Sequence, residues 1–257
     1  MANIVAAPVS ARSATAPVTR SAWPHPLAVG RLLGMTGVIV AFVFMLLLHL
    51  LAGAAIQPVT ETLSGAVFAP GVGWMFPAGV TSMAVAGLGV AVVLHGSGLP
   101  VGRVAMVGAW LTTVGLVLVT LFPTDRVGAG SISAQIHRYA AAVALLAVPV
   151  VALLVARLLG HGKRMLQAAA WFVVVVLVLT GVAIFLPGVF DPVRGVIQRV
   201  LLVGELVVLA QLIHLTVRAA VRSDRPVLAA NRETSSTAES PEAVTATSAA
   251  CLEGSAV

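Results

Sequence analysis

Charged residues are scarce in this chain, and that scarcity indicates its class. Only 9% of the 257 residues are Asp, Glu, Lys or Arg, whereas 59% are hydrophobic, and the mean hydropathy is +1.05. Soluble domains carry about 25% charged residues, because a protein folded in water needs a polar exterior. The composition therefore excludes a soluble globule and predicts an integral membrane protein.

Cysteine and aromatic residues are also rare. The single cysteine, Cys251, excludes an intrachain disulfide and a cysteine metal cluster. Aromatics make up only 5% of the chain, and the apolar runs are roughly 20 residues long, which suits spanning helices. Strands of a membrane barrel would be about 10 residues long, with alternating polarity. We therefore predict an all-α fold.

Six apolar runs define the predicted architecture. They lie at about 33–56, 75–94, 104–121, 139–159, 166–186 and 196–217. We predict a bundle of six transmembrane helices within a domain at 31–220. Small residues spaced four apart in the second run, Ser82 and Ala86, fit close helix packing. The flanking segments 1–30 and 221–257 are too polar to form a core, so we predict disordered cytoplasmic tails.

The distribution of basic residues predicts the orientation. Six spans put both termini on one side, and the basic residues on the opposite side are only Arg126, Arg138, Arg194 and Arg199 of the 15 Lys and Arg. The positive-inside rule then predicts that both termini are cytoplasmic, in a multi-pass protein of the plasma membrane. Because the basic residues flank apolar runs, they indicate topology, and we expect no nucleic acid partner.

One short outward connection gathers several polar groups. Leu121-Phe-Pro-Thr-Asp-Arg126 ends the third run, and Gln135-Ile-His-Arg138 precedes the fourth. Hairpin geometry would bring Asp125 close to His137, and a carboxylate beside an imidazole can orient a base or take up protons. The alternative is a structural pair that holds the hairpin together.

Three further polar residues fall within predicted spans. Arg199 would reach lipid headgroups, turn inward to meet Asp125, or clamp an anionic ligand. Glu205 lies about 14 Å into the sixth span, where an acid is costly and faces the bundle, either protonated or paired. His49 lies at a similar depth in the first span, so it is a candidate partner for Glu205.

The sequence favours neither a metal nor a cofactor. A zinc site needs at least three protein ligands, and Glu61 is the sole further candidate beside Asp125 and His137. A heme would require paired histidines at matching depths on neighbouring spans, which the sequence lacks. No phosphate-binding glycine loop or nucleophile motif occurs. We therefore predict no metal and no cofactor.

Together these motifs suggest a family. The six spans, the Leu121-Phe-Pro-Thr-Asp125 stretch, His137 and the Gly195-x-x-Gln198-Arg199 start of the sixth span resemble domain-of-unknown-function family 998. The resemblance covers about residues 30–220. It implies the six-helix fold, and it implies that Asp125, His137 and Arg199 belong to a shared outward-facing feature. It names no reaction.

Three functional hypotheses follow. The first is a protein that binds or moves a small molecule or lipid through an outward polar site; its candidate residues are Asp125, His137, Arg199, Glu205 and His49. The second is a membrane-embedded, hydrolase-like enzyme that uses Asp125 and His137. The third is a structural or assembly protein with no ligand. The lipid bilayer is the partner common to all three.

Overall fold

The described part of the structure, a computed structural model, is a bundle of six long helices. It covers residues 26–52, 56–125, 130–186, 188 and 190–238, and contains no strand within them. The helices are α1 Pro26–Ala52, α2 Met75–Gly96, α3 Gly102–Leu121, α4 Ile132–Ala156, α5 Lys163–Phe185 and α6 Arg194–Ala238. Two 3-10 helices, Leu63–Phe68 and Asp191–Val193, lie in the connections before α2 and α6. All six long helices are apolar and long enough to cross a membrane, which confirms the predicted fold class.

The even-numbered helices form the interior of the bundle. α6 packs against α1, α2, α4 and α5, while α3 bridges α2 and α4. The most apolar segments of α2, α4 and α6 are half or more buried, and those of α1, α3 and α5 are less buried. The connections α1–α2, α3–α4 and α5–α6 share one end, which we call the loop end. The opposite end, where α1 begins, is called the terminal end.

The closest helix contact joins α1 to α2 through glycine. A Cβ added at Gly89 would lie 2.4 Å from both the Cα and the N of Gly34, and one added at Gly37 would lie 2.6 Å from the Ser82 carbonyl oxygen and the Ala86 nitrogen. The two backbones therefore touch without intervening side chains. This confirms the packing role predicted for Ser82 and Ala86.

Three helix boundaries differ from the predictions. α1 begins at Pro26, inside the segment 1–30 assigned to a tail, because proline suits the first position of a helix. α4 begins at Ile132, before the apolar run at about 139–159. α6 continues to Ala238, through much of the segment 221–257 for which a disordered tail was predicted. Residues 1–25 and 239–257, with Cys251, lie outside the described residues.

Replacing Gly89 by alanine is expected to destabilise the bundle. The new Cβ would collide with the backbone of Gly34, and such overpacking costs about 1–3 kcal/mol. Gly181 in α5 is a matched control, because nothing lies within 4 Å of an added Cβ there. Thermal unfolding of both variants in detergent tests this. Equal stability of Gly89→Ala and Gly181→Ala would contradict the close crossing.

Candidate functional site

The α1–α2 connection lies directly on the N-terminus of α6. The first N–H groups of a helix have no partner within the helix. Here the carbonyl oxygen of Val59 accepts from the N–H groups of Gly195, at 2.8 Å, and Val196, at 3.3 Å. A Cβ at Gly195 would lie 2.5 Å from the Glu61 carbonyl oxygen. Glycine is therefore needed for this approach.

Two side chains of α6 extend the same contact. Gln198 Oε1 accepts from the N–H of Leu63 at 2.6 Å. Arg199 Nη1 donates to the carbonyl oxygens of Glu61 and Gly195, each at 2.9 Å. Each group contacted on the loop belongs to the backbone. We call this contact of Val59–Leu63 with Gly195–Arg199 the loop dock, and it gives the Gly195-x-x-Gln198-Arg199 motif a physical meaning.

Arg199 also joins the loop dock to α1. Its Nε donates to His49 Nε2 at 2.6 Å, and His49 Nδ1 lies within hydrogen-bonding distance of the Met45 carbonyl oxygen. Because a guanidinium only donates, Nε2 accepts and Nδ1 carries the imidazole hydrogen. The remaining nitrogen, Arg199 Nη2, is buried and has no acceptor in the described structure.

Asp125 supports the start of α4. Its Oδ1 accepts from Ser131 Oγ at 2.8 Å and its Oδ2 from the Ser131 N–H at 3.2 Å. Ser131 is the N-cap residue, and its Oγ accepts from the Ala134 N–H at 3.1 Å. Such a cap satisfies one of the unpaired N–H groups at a helix start. Asp125 therefore orients the capping serine.

His137 is buried and holds the end of α3. Its Nδ1 lies 2.8 Å from the carbonyl oxygen of Phe122 and 3.2 Å from that of Val119. Carbonyl groups in the last turn of a helix lack partners within the helix, so Nδ1 donates to them. The imidazole also packs against the Phe76 ring of α2, with centroids 6.4 Å apart. His137 thus connects α2, α3 and α4.

The structure brings together some predicted site residues and separates others. Arg199 and His49 are hydrogen-bonded, whereas no hydrogen bond in the described residues joins Asp125 to His137 or to Arg199. We predicted that Asp125 orients His137, but in the structure each of these side chains has other hydrogen-bond partners. The unpaired backbone groups at the end of α3 and the start of α4 bind these side chains instead.

Glu205 is set apart from the other candidates. It is completely buried, and neither carboxyl oxygen has a hydrogen-bond partner among the described residues. The contact with His49 considered from the sequence is not formed, because His49 Nε2 accepts from Arg199. Among the described residues, no group of three or more His, Cys, Asp or Glu side chains could hold a metal ion.

Sequence reasoning missed the partners that the loop supplies. Val59, Glu61 and Leu63 take part through backbone atoms, and a backbone atom leaves no trace in residue type. The readable signal was Gly195, because a glycine at the start of an apolar helix indicates a close approach of another segment.

The six spans and the loop dock define a multi-pass α-helical membrane protein. Residues 35–215 match the model of a family described as "Protein of unknown function (DUF998)", and the chain belongs to that family. This confirms the resemblance inferred from the motifs. The matched region includes the whole loop dock and both Asp125 and His137. No curated protein and no solved structure matches the chain.

Replacing Gly195 by alanine is expected to detach the α1–α2 loop from α6. The added Cβ would meet the carbonyl oxygens of Pro58 and Glu61 at 2.5–2.6 Å, and overpacking of this kind costs about 1–3 kcal/mol. Hydrogen exchange should then accelerate at the Leu63 amide. Val196→Ala is the control, because that side chain is exposed. Unchanged exchange in Gly195→Ala would count against the loop dock.

Replacing His137 by phenylalanine is expected to destabilise the bundle while preserving the packing against Phe76. The Phe122 carbonyl oxygen would lose its donor, which costs about 1–3 kcal/mol when the group stays buried. Chemical unfolding in mixed micelles measures this. His95→Phe is the control, since His95 is exposed and surface changes usually stay within about 0.5 kcal/mol. A His137→Phe protein as stable as the control would contradict a stabilising role for the hydrogen bond between His137 and the end of α3.

Proposed function

We propose that this multi-pass membrane protein binds an anionic group, from a lipid headgroup or a small solute, at the loop end of α6. The observation that carries the proposal is a pair of unsatisfied guanidinium donors. Arg194 Nε and Arg199 Nη2 are both buried and have no acceptor in the described structure. The two residues are about 7.5 Å apart along the helix axis.

The chemistry of these donors favours an oxyanion. A buried donor without a partner costs about 1–3 kcal/mol, and more when it is charged. Phosphate and carboxylate oxygens match the planar N–H groups of arginine. The N-terminus of α6 adds a partial positive charge at the same place. A bound oxyanion would supply an acceptor to these donors, although the two arginines lie about 140° apart around the helix, so one anion need not contact both.

His49 belongs to the proposed site as a positioning residue. It is exposed in the last turn of α1, and it accepts a hydrogen bond from Arg199 Nε that holds the guanidinium in place. Asp125 and His137 are assigned to the α3–α4 connection, where helix ends already use their hydrogen-bonding atoms. The hydrolase hypothesis needs those two residues as a pair, so their separate partners weigh against it.

A structural or assembly role without a ligand is the second candidate. It is favoured by the hydrogen bonds that Arg199 already makes to His49, Glu61 and Gly195. Under this alternative, Arg194 Nε and Arg199 Nη2 would remain without a hydrogen-bond acceptor. The proposal also includes a plasma membrane location with cytoplasmic termini, which rests on the distribution of basic residues.

A thermal-shift experiment tests the proposed anion site. Short-chain phosphatidylglycerol should raise the melting temperature of the wild-type protein in neutral detergent, and phosphatidylcholine should raise it less. Arg194→Gln removes one free donor and should abolish the difference. Arg138→Gln is the matched control, because Arg138 is an exposed arginine at the same end and its loss gives the same charge change.

The outcomes separate the two sources of the anion and the two candidate functions. Stabilisation by inorganic phosphate alone would identify a small solute, whereas a shift restricted to the lipid would identify a headgroup. No shift with either probe, or an equal shift in the Arg194→Gln protein, would overturn the proposal in favour of a structural role.

A further inference from the structure

Glu205 is an acid without a partner inside the bundle. Its side chain is 0% exposed, and both carboxyl oxygens lack hydrogen-bond partners in the described part of the chain. It lies about 15 Å along α6 from Gly195. The anion site at the loop end uses neither oxygen, so the inference below does not depend on that site.

Among the described side chains, the long helices around α6 bring no counter-ion to Glu205. Those packed against it are α1, α2, α4 and α5, and the two 3-10 helices contact it at the loop end. The ionisable residues of the four long helices lie at the helix ends. These residues are Arg31 and His49 on α1, His95 on α2, His137, Arg138, Tyr139 and Arg157 on or beside α4, and Lys163 and Arg164 on α5. At the loop end, His49 is bonded to Arg199 and His137 to α3 carbonyls. Arg138 and Tyr139 are exposed.

The other ionisable groups of α6 whose side chains the structure describes also lie away from Glu205 along the helix. Arg194 and Arg199 lie at the loop end, and His214, Arg218 and Arg222 lie toward the terminal end. In the described structure none of them bonds to the Glu205 carboxyl. An unpaired carboxylate in a protein interior costs several kcal/mol, whereas a neutral carboxylic acid does not carry that cost. A metal ion would need several further ligands. The ligand that fits a lone buried carboxyl is therefore a proton.

The buried face of α6 continues beyond Glu205 toward the terminal end. At 100° per residue, Leu209, Leu212 and Thr216 lie within roughly 40° of Glu205 around the helix. Leu209 and Leu212, about one and two turns along α6 from Glu205, line a largely apolar cavity of about 10 Å³ together with Thr112 of α3, and Glu205 is not among its lining residues. The Thr216 hydroxyl is fully buried and has no partner among the described residues.

We propose that Glu205 is a proton-binding site in the membrane interior, which carries a proton in this conformation. The proton binds to a carboxyl oxygen, and its uptake from water or release to water needs no redox partner and no second substrate.

Infrared spectroscopy of the full chain in lipid vesicles tests the proposal directly. A protonated carboxylic acid has a carbonyl band at higher frequency than a carboxylate. Wild-type protein at neutral pH should show this band, and Glu205→Gln should lose it while keeping the fold. Glu61→Gln is the control, because Glu61 is exposed and its removal should leave the band unchanged.

Deuterium substitution provides a second test. In protein purified in D₂O the Glu205 band should shift to lower frequency, because deuterium replaces the acid hydrogen. Absence of the band from wild type, its persistence in Glu205→Gln, or a band that does not shift in D₂O would overturn the proton site.

Discussion

Backbone groups at helix ends that lack partners within the helix govern the loop end of this bundle. Where such groups are shielded from water they must find partners in the protein, and here polar side chains and the backbone of the α1–α2 loop supply them. His137 donates to the end of α3, Ser131 caps α4 with Asp125 behind it, and the α1–α2 loop covers the start of α6. Residues that looked like a catalytic cluster are thus distributed among three separate helix ends.

The large features of the fold were predictable because hydropathy determines them directly. Six apolar runs gave six helices. The spacing of Ser82 and Ala86 indicated a close helix contact, and the structure shows that its partner is α1. Helix ends were less predictable. α4 begins at Ile132, well before the apolar run, and α6 extends to Ala238, beyond the end of the last apolar run. Periodic apolar patterns report where a helix meets apolar surroundings, and a helix can extend beyond them.

The sequence predicted which residues belong to the candidate site, but it did not predict which of them are hydrogen-bonded to each other. Arg199, His49 and Glu205 were singled out because each is polar within an apolar run. The pairing of Arg199 with His49 depends on how α1 and α6 lie beside each other, and sequence separation carries no such information. Asp125 and His137 were adjacent enough to suggest a pair, but nearby backbone groups compete for the same hydrogen bonds. In Arg199 the competition is visible on one side chain, where Nε bonds to an imidazole and Nη1 to carbonyl oxygens.

The loop dock has a consequence for sequence drift and for engineering. α6 binds Val59, Glu61 and Leu63 through their main-chain atoms. The loop dock therefore constrains the path and length of the loop far more than its residue types. Exchange of the Val59 or Glu61 side chain leaves these hydrogen bonds intact, whereas one inserted residue would displace the Val59 and Glu61 carbonyl oxygens and the Leu63 N–H relative to α6. An epitope introduced into this segment by substituting exposed residues is therefore compatible with the fold. An epitope introduced by inserting residues would disrupt the loop dock.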